Sequence, residues 1–256
     1  MKTDCTRVIR QHVASMALTL VAVLLLAASA HGQNLFVSAG DVYGGYIYEF
    51  TPNGRSSTFA SGLDVPQGLA FNSAGDLFEA DVDTGNIYEF TPSGVQSAFA
   101  SGLSFPEGLA FNSAGDLFEA DEGSGKIYEF TPNGGSSTFA SGLDNPEWLA
   151  FNSAGNLFVT AVGNIYEFTP NGGSSTFATG LDVACEMAFN NSGDLFVADG
   201  PGGNIYEFTF NGMMSTFASG LNSPYFLAFE PIPEPSTWAL VGLGLSALLV
   251  SRRRKA

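Results

Sequence analysis

Carboxylates are the side chains of this sequence that recur at fixed spacing and could do chemistry. Residues 33–230 contain 23 acidic residues, one lysine (Lys126), one arginine (Arg55) and no histidine, for a formal net charge of −21. Binding to nucleic-acid phosphates needs Lys and Arg, so nucleic acid is excluded as a partner. The absence of histidine also excludes Ser–His and Cys–His nucleophilic triads in this part of the chain.

Loop acids provide a candidate metal site, because hard oxygen ligands in such number suit Ca²⁺. The candidate ligands are Asp81, Asp83, Glu107, Asp121, Glu122, Glu147 and Asp199. Residues 81–86 partly match a calcium-binding loop, but they lack an acid at the fifth place and a glutamate at the twelfth. Asx turns and solvated carboxylates are the simpler interpretation, and the sequence favours it over a calcium site.

Other residues of chemical interest have a structural interpretation. One glutamate recurs in every repeat, at positions 49, 89, 129, 167 and 207, which favours hydrogen bonding between strands over five copies of an active site. Glu79 and Glu119 stand where two other repeats have Val159 and Val197, and we expect them to line a central channel. Cys185 is interpreted as a small core residue rather than a reactive thiol.

An internal repeat organises the elements that must position these residues. The string Ile-Tyr-Glu-Phe begins at positions 47, 87, 127, 165 and 205, and its spacing is constant except for the third interval, which is two positions shorter. Four short apolar segments recur in each repeat, and we name them strands A, B, C and D. Asn-Ser-Ala-Gly or a variant separates A from B, and Thr-Pro-Asn-Gly or a variant separates C from D.

The regular positions of the phenylalanine residues support a fold built from stacked β-sheets. Of the 23 Phe residues, 20 occur once per strand in all four strands of all five repeats. Four-stranded sheets that repeat every ~40 residues match the blades of a β-propeller, whereas a linear β-solenoid has shorter coils. The sequence therefore predicts an all-β, five-bladed propeller of four-stranded antiparallel blades.

The order of the strands predicts how the ring closes. The chain enters at a strand B, residues 35–37, and leaves after a strand A, residues 227–229. The last strand A can complete the first blade and remove exposed sheet edges. We expect the D–A and B–C connections to share one acidic face, and the A–B and C–D turns to share the other.

The repeat unit also resembles a known family. The segments Pro-Glu-Gly-Leu-Ala-Phe-Asn-Ser-Ala-Gly-Asp-Leu-Phe-Glu-Ala-Asp (106–121) and Gly-Lys-Ile-Tyr-Glu-Phe-Thr-Pro-Asn-Gly (125–134) resemble NHL-type repeats and the related gluconolactonase-like propellers. The resemblance covers residues 34–230. It implies the fold and, as one alternative, a metal-dependent lactonase, although the spaced Asn and Asp ligands of such enzymes have no matching set here.

Residues 1–32 have the pattern of a secretory signal peptide. Lys2, Arg7 and Arg10 precede an apolar run from Met16 to Ala30, which ends in small residues. The expected cleavage motif is Ala28-Ser29-Ala30, with cleavage after Ala30 or, second, after Gly32. The alternative is an ordinary amphipathic or buried helix.

Residues 231–256 differ abruptly in composition from the repeats. Pro233-Glu234-Pro235 is followed by a 13-residue apolar run from Trp238 to Val250 and then by Arg252, Arg253 and Arg254. A 13-residue helix spans only ~20 Å of a ~30 Å hydrocarbon core, so a transient anchor suits this length better than a permanent one. The tail resembles a PEP-CTERM sorting signal, in which an exosortase in the inner membrane removes the tail. The alternative is a short membrane anchor with cytoplasmic arginines.

Two functions follow as hypotheses. The first is an exported, exosortase-sorted protein of the bacterial surface or biofilm matrix, whose acidic face binds extracellular polysaccharide, cation or protein without catalysis. The second is a gluconolactonase-like metal hydrolase using metal-bound water and a carboxylate base. The repeats are nearly identical, and an asymmetric active site needs residues specific to one blade, so the sequence favours the binding protein.

Overall fold

The computed structural model describes residues 34–41, 44–222, 224 and 227. They form five antiparallel sheets around a common centre, which confirms the predicted five-bladed β-propeller. The predicted signal helix, the C-terminal apolar helix and the sorting tail lie outside these residues. Within them, no helix is long and apolar enough to cross a membrane.

The strands follow the predicted order A, B, C and D in every complete blade. Blade 1 contains β1 (Leu35–Asp41), β2 (Gly44–Phe50) and β3 (Ser56–Leu63). Blade 2 contains β4 (Pro66–Phe71), β5 (Leu77–Asp81), β6 (Asn86–Phe90) and β7 (Gln96–Ser101). Blade 3 contains β8 (Pro106–Phe111), β9 (Leu117–Asp121), β10 (Lys126–Phe130) and β11 (Ser136–Ser141).

The last two blades continue this arrangement. Blade 4 contains β12 (Pro146–Phe151), β13 (Leu157–Ala161), β14 (Asn164–Phe168) and β15 (Ser174–Thr179). Blade 5 contains β16 (Ala184–Phe189), β17 (Leu195–Asp199), β18 (Asn204–Phe208) and β19 (Met214–Ala218). The A strands of successive complete blades contact one another, so strand A is innermost in blades 2 to 5.

The blades are held together by the regularly spaced phenylalanines. Phe78 of blade 2 meets Phe99 of its own blade and Phe111 of blade 3 edge to face, with ring centroids 5.0 and 5.1 Å apart. Phe99 in turn meets Phe130 of blade 3 at 5.7 Å. The same geometry recurs between blades 3 and 4 and between blades 4 and 5. Edge-to-face ring pairs at these distances are favourable beyond the area they bury, so each inter-blade core is aromatic.

The inner strands approach one another very closely. A Cβ atom placed on Gly68 would lie 2.3 Å from the Glu107 carbonyl oxygen, and one on Gly108 would lie 2.5 Å from the Glu147 carbonyl oxygen. Side chains at these two positions would push the A strands of blades 2, 3 and 4 apart.

Two faces of the disc are defined by the connections. The loop face carries the D–A connections (64–65, 102–105, 142–145 and 180–183) and the B–C turns (82–85, 122–125, 162–163 and 200–203). Backbone hydrogen bonds join them, such as the Val82 amide donating to the Val65 carbonyl and Leu103 donating to Gly85. The turn face carries the A–B and C–D turns. The predicted sharing of faces is therefore confirmed.

The predicted closing strand lies mostly outside the described residues. Within them, the Leu227 amide donates a 2.9 Å hydrogen bond to the Glu186 Oε2 atom of β16. Leu227 also packs against the buried cluster of Val183, Cys185 and Ala198 in blade 5. These contacts put Leu227 beside the inner strand of blade 5, where a strand A of blade 1 is expected.

Candidate functional site

Three of the candidate metal ligands end a strand B and hold the loops of the acidic face together. Asp81 accepts hydrogen bonds from the Asp64 amide (2.8 Å) and the Thr84 hydroxyl (2.8 Å). Asp121 accepts from the Ser104 amide at 2.7 Å and the Ser124 amide at 3.0 Å. Asp199 accepts from the Val183 amide at 2.9 Å. Asp81 and Asp121 therefore connect a B–C turn to a D–A connection, and Asp199 connects the end of its strand B to a D–A connection.

The burial of Asp81 has an electrostatic cost. Asp81 is 0 % exposed. Burial raises the pKa of Asp81 above its ordinary value, while its bonds to Asp64 and Thr84 act in the opposite direction. The three aspartates are therefore buried hydrogen-bond acceptors, which supports a structural role, but the expectation that they are solvated carboxylates is wrong.

The other candidate ligands are spread over the same face. Glu122 accepts a 3.0 Å hydrogen bond from the Asn145 side chain, which links blades 3 and 4. Glu107 and Glu147 are buried at the start of β8 and β12, whereas Asp83 is exposed. In the described part of the chain, no three His, Cys, Asp or Glu side chains are grouped so that they could hold one metal ion. The calcium site stays a prediction.

The loop face is interrupted at blade 4, where a cleft opens toward blade 5. The B–C turn there has two residues, 162–163, whereas the turns of blades 2, 3 and 5 have four. Ala161 also replaces the loop-tying aspartate of those blades. The resulting cleft has a volume of about 220 Å³. Its lining includes Asp144, Asn145, Glu147, Thr160 and Asp182.

Local features of blade 4 hold the cleft in shape. Thr160 stands where the other complete blades have alanine, and its hydroxyl oxygen accepts a 3.0 Å hydrogen bond from the Trp148 amide. Val162, in the shortened turn, has a φ of 39°. A β-branched residue is strained at positive φ, and Val65 in the connection to blade 2 has the same kind of strain, with a φ of 60°.

The cleft was not identified from the sequence, although a signal was present. The Ile-Tyr-Glu-Phe strings at 127 and 165 are two positions closer together than the other neighbouring strings, and this difference marks the shortened turn. Thr160 is also specific to this blade, and Ala161 stands where blades 2, 3 and 5 have aspartate. The cleft offers carboxylate, amide and hydroxyl groups that can bind hydroxyl-rich or positively charged groups. It brings together no histidine or lysine that could act as a base or nucleophile.

Glu79 and Glu119 are buried between blades and do not form a channel surface. Both are 0 % exposed, and among the described residues neither carboxyl oxygen of either side chain has a hydrogen-bond partner. Glu79 lies on the same side of β5 as Leu77, which packs against Ile47 and Leu63 of blade 1. The expectation that they line an open channel is therefore wrong, because the pleat of strand B turns them into the inter-blade core.

The environment of these glutamates favours their protonated, neutral form. Burial, and secondarily the charge of Asp81, raises the pKa of Glu79 from 4.5 to about 9. Burial, with a contribution from Asp121, also raises the pKa of Glu119 well above its ordinary value. At these positions the structure buries a carboxyl group in blades 2 and 3, and Val159 or Val197 in the later blades.

Glu186 is a further residue that sequence reasoning missed. It occupies the position of Gly68, Gly108 and Trp148 in the other inner strands, so it is specific to blade 5. Burial raises its pKa to about 7, although the hydrogen bond from the Leu227 amide lowers it. Glu186 thus accepts a bond from the segment that is expected to close the ring.

The turn face contains the repeated glutamates and a second cleft. Asn34 donates to Glu49, and Asn156 donates to Glu167 at 2.7 Å, as expected for structural acceptors. Between blades 2 and 3 there is a groove of about 430 Å³, lined by four phenylalanine rings, Glu89 and turn residues. The residues that line this groove occupy positions that recur in the other repeats. The cleft between blades 4 and 5 differs, because the shortened turn and Thr160 are specific to blade 4.

Comparison with known proteins supports the two parts of this description. Residues 231–255 match the PEP-CTERM protein-sorting motif. No curated protein matches the sequence. The chain is therefore a five-bladed β-propeller protein with a C-terminal sorting motif, which implies exosortase-dependent export.

Solved structures place the propeller among known folds. The XC5397 gluconolactonase from Xanthomonas campestris has 16 % identity and a TM-score of 0.64, with 74 % of both chains covered. A nidogen/laminin complex has 20 % identity and a TM-score of 0.67, with 76 % of this chain and 80 % of that chain covered. Virginiamycin B lyase from Staphylococcus aureus has 16 % identity and a TM-score of 0.59, with 73 % of both covered. At these identities the likeness shows the fold alone.

Proposed function

We propose that this protein is exported, processed by an exosortase, and displayed at the bacterial surface or in the extracellular matrix as a non-catalytic binding module. The PEP-CTERM motif supports export and processing. The proposal includes residues 1–32 as a signal peptide with Ala28 and Ala30 at its cleavage site. It also includes transient anchoring in the inner membrane by residues 238–250, with secretion machinery and exosortase as processing partners.

The binding site of this proposal is the cleft between blades 4 and 5. The observation that carries it is the break in the repeat, because the shortened turn opens a cleft where the tying aspartate of other blades is replaced by Ala161. Its volume is below the ~300–1,000 Å³ of typical ligand pockets, so it suits one unit of a polymer better than a large cofactor. Extracellular polysaccharide with hydroxyl or amino groups is the proposed ligand class.

Enzymatic activity is the alternative, and the fold neighbours provide the reason to test it. Solved relatives of this fold include a gluconolactonase and a lyase. A further lyase structure is described as a catalytically inactive His-to-Ala variant, whereas residues 33–230 here contain no histidine. A metal-dependent lactonase would need a grouped ligand set, and the described residues contain no such group of acids, His or Cys. Binding is therefore favoured.

Glycan binding by the protein secreted from its native host tests this function. Asp144→Asn with Asp182→Asn removes two charges from the cleft lining and is expected to lower affinity at least tenfold. Asp83→Asn, an exposed change on the same face, is the matched control and should leave affinity within twofold. Equal losses in both variants would assign binding to the general charge of the face. Saturable lactone hydrolysis by the same preparation would favour the enzyme.

Processing is tested in the same host by mass spectrometry. The secreted protein should end near Pro233–Pro235, and Glu234→Ala should retain the chain in the inner membrane. Detection of Arg252–Arg254 on the secreted product would contradict exosortase removal of the tail.

Calcium is included in the proposal as a weak ligand of the loop face. Extracellular calcium modules bind at ~10⁻⁴–10⁻³ M, so a gain in Tm is expected only at millimolar calcium. An unchanged Tm at 10-fold higher concentrations, about 10 mM, would remove calcium from the proposal.

A further inference from the structure

An exposed apolar patch distinguishes the C–D turn of blade 5 from the other blades. Phe210, Met213 and Met214 are 77 %, 72 % and 55 % exposed. We call these three residues the blade 5 patch. At the position of Phe210 the other four repeats have proline, and at the position of Met214 they have serine or glutamine. Three large apolar side chains so close in the chain expose an area on the order of a few hundred Å², enough to mark an interaction site.

The turn presents these side chains outward rather than packing them within the blade. In blades 2, 3 and 4, a Cβ atom placed on the A–B turn glycine would lie 3.7–3.9 Å from the proline of the C–D turn. In blade 5, the corresponding Gly193 has no such neighbour within 4 Å. Phe210 therefore does not fill the place of the proline, and its ring lies in solvent.

The backbone of this turn satisfies its own hydrogen bonds. The Thr209 amide donates to the Met213 carbonyl at 3.0 Å, and the Gly212 amide donates to the Thr209 carbonyl at 2.7 Å. The Met213 amide donates to the Thr209 hydroxyl at 3.2 Å. A turn with paired polar groups and apolar side chains can enter a lipid headgroup region without leaving these groups unsatisfied.

The predicted closing strand would bring the C-terminal tail to the same side of the disc as this turn. In each complete blade strand A ends at the turn face, so a closing strand through Leu227 leads toward the face that carries the blade 5 patch. Strand C of blade 5, which leads into the patch, lies about 10 Å from strand A of its own blade at ~4.8 Å per strand, and Leu227 contacts that strand A through Glu186. The segment from Leu227 to Trp238 can extend ~36 Å, which covers that distance.

We infer that the blade 5 patch rests on the lipid surface of the inner membrane while the sorting tail is still attached. The inference rests on the membrane anchoring included in the proposed function. It orients the disc with its turn face toward the bilayer and with the cleft and the carboxylates of the loop face directed away.

Fluorescence of the full-length chain in vesicles tests this contact. The chain, with Cys5→Ser, is reconstituted into phosphatidylethanolamine–phosphatidylglycerol vesicles with an environment-sensitive dye at Asn211→Cys. Ser93→Cys is the matched control, because it occupies the same turn position in blade 2. Cys185→Ala completes the replacement of the native cysteines, so labelling is directed to the introduced thiol. Brominated lipid chains should quench the dye at position 211 at least twofold more than the dye at position 93.

A second variant links the signal to the patch itself. Phe210→Ser with Met213→Ser and Met214→Ser should return the dye at position 211 to water-like emission, with Tm unchanged because all three side chains are exposed. If the protein binds vesicles but the dyes at positions 211 and 93 are quenched equally, the lipid contact is overturned and the proposed anchoring is not. A blue-shifted dye that brominated lipid does not quench would also overturn it, since the tail or a second copy would then cover the patch. Failure of the chain to bind vesicles would overturn both the contact and the proposed anchoring.

Discussion

Blades 2 and 3 differ from blade 4 in how they use acidic residues, although their sequences are nearly the same. In blades 2 and 3, Asp81 and Asp121 tie the loops, and Glu79 and Glu119 are buried between blades. Blade 4 has Ala161 and Val159 at these positions, and a cleft opens at its shortened turn. A repeated fold can therefore gain a distinct site where one blade loses a structural residue. Blades 2 and 3, which keep these acidic residues, bury them at a cost in electrostatic free energy.

Replacing the buried glutamates should have the largest effect on stability. Glu79→Val, which copies blades 4 and 5, is expected to stabilise the fold by about 3 kcal/mol at pH 7, because folding raises the pKa of Glu79 from 4.5 to about 9 and so requires proton uptake. The folded state binds this proton more tightly, so wild-type stability is full below pH 4.5 and falls as pH rises toward 9. Urea unfolding between pH 5 and 9 should show a flatter profile for the variant. An unchanged profile would contradict the burial of a neutral glutamate.

Removing a loop tie should destabilise the fold by a smaller amount. Asp121→Ala leaves the Ser104 and Ser124 amides without their acceptor, which we expect to cost about 2 kcal/mol in the free energy of unfolding. Ala161→Gly at the equivalent position of blade 4 is the control and should cost about 1 kcal/mol or less. Equal losses measured in urea would show that the tie contributes little.

Glu186 is expected to make closure of the ring sensitive to pH. Its folded pKa of about 7 lies above 4.5, so its contribution is full below pH 4.5 and is lost as pH rises through 7. Glu186→Gln keeps an acceptor for the Leu227 amide and should remove part of the fall in Tm between pH 5 and 7. The effect should be smaller than that of Glu79→Val. A variant with the wild-type slope would show that Glu186 does not titrate there.

Restoring the missing turn should have the smallest effect on stability and a specific effect on binding. Ala161→Asp, together with two residues inserted after Val162, gives blade 4 the loop of its neighbours and relieves the positive φ of Val162. We expect a gain of about 1 kcal/mol or less and loss of glycan binding. Retained binding in this variant would move the proposed site away from the cleft.

The repeat made most of the fold predictable. One phenylalanine per strand and a regular repeat define the blades, and the edge-to-face contacts of Phe78 and its equivalents follow from that spacing. The functional features were harder to predict from the sequence, because they depend on differences of one or two residues between repeats. The burial of Glu79 depends on which side of a strand faces the neighbouring blade, and the cleft depends on a two-residue shortening. Glu186 gained its role only through contact with Leu227, which is distant in the chain.

The aromatic contacts between blades have a consequence for how the gene could change length. Phe78, Phe118 and Phe158 each meet the next blade through the same residue types at nearly the same distances. One blade therefore presents to its successor a surface that any other blade could accept. Recombination that adds or deletes one whole repeat would preserve the contacts between neighbouring blades. It would change only the angle between blades that is needed for the first and last blades to meet. The number of blades in such a protein is set by the angle between neighbouring blades rather than by recognition between particular blades. The shortened turn of blade 4 distinguishes that blade from the other four.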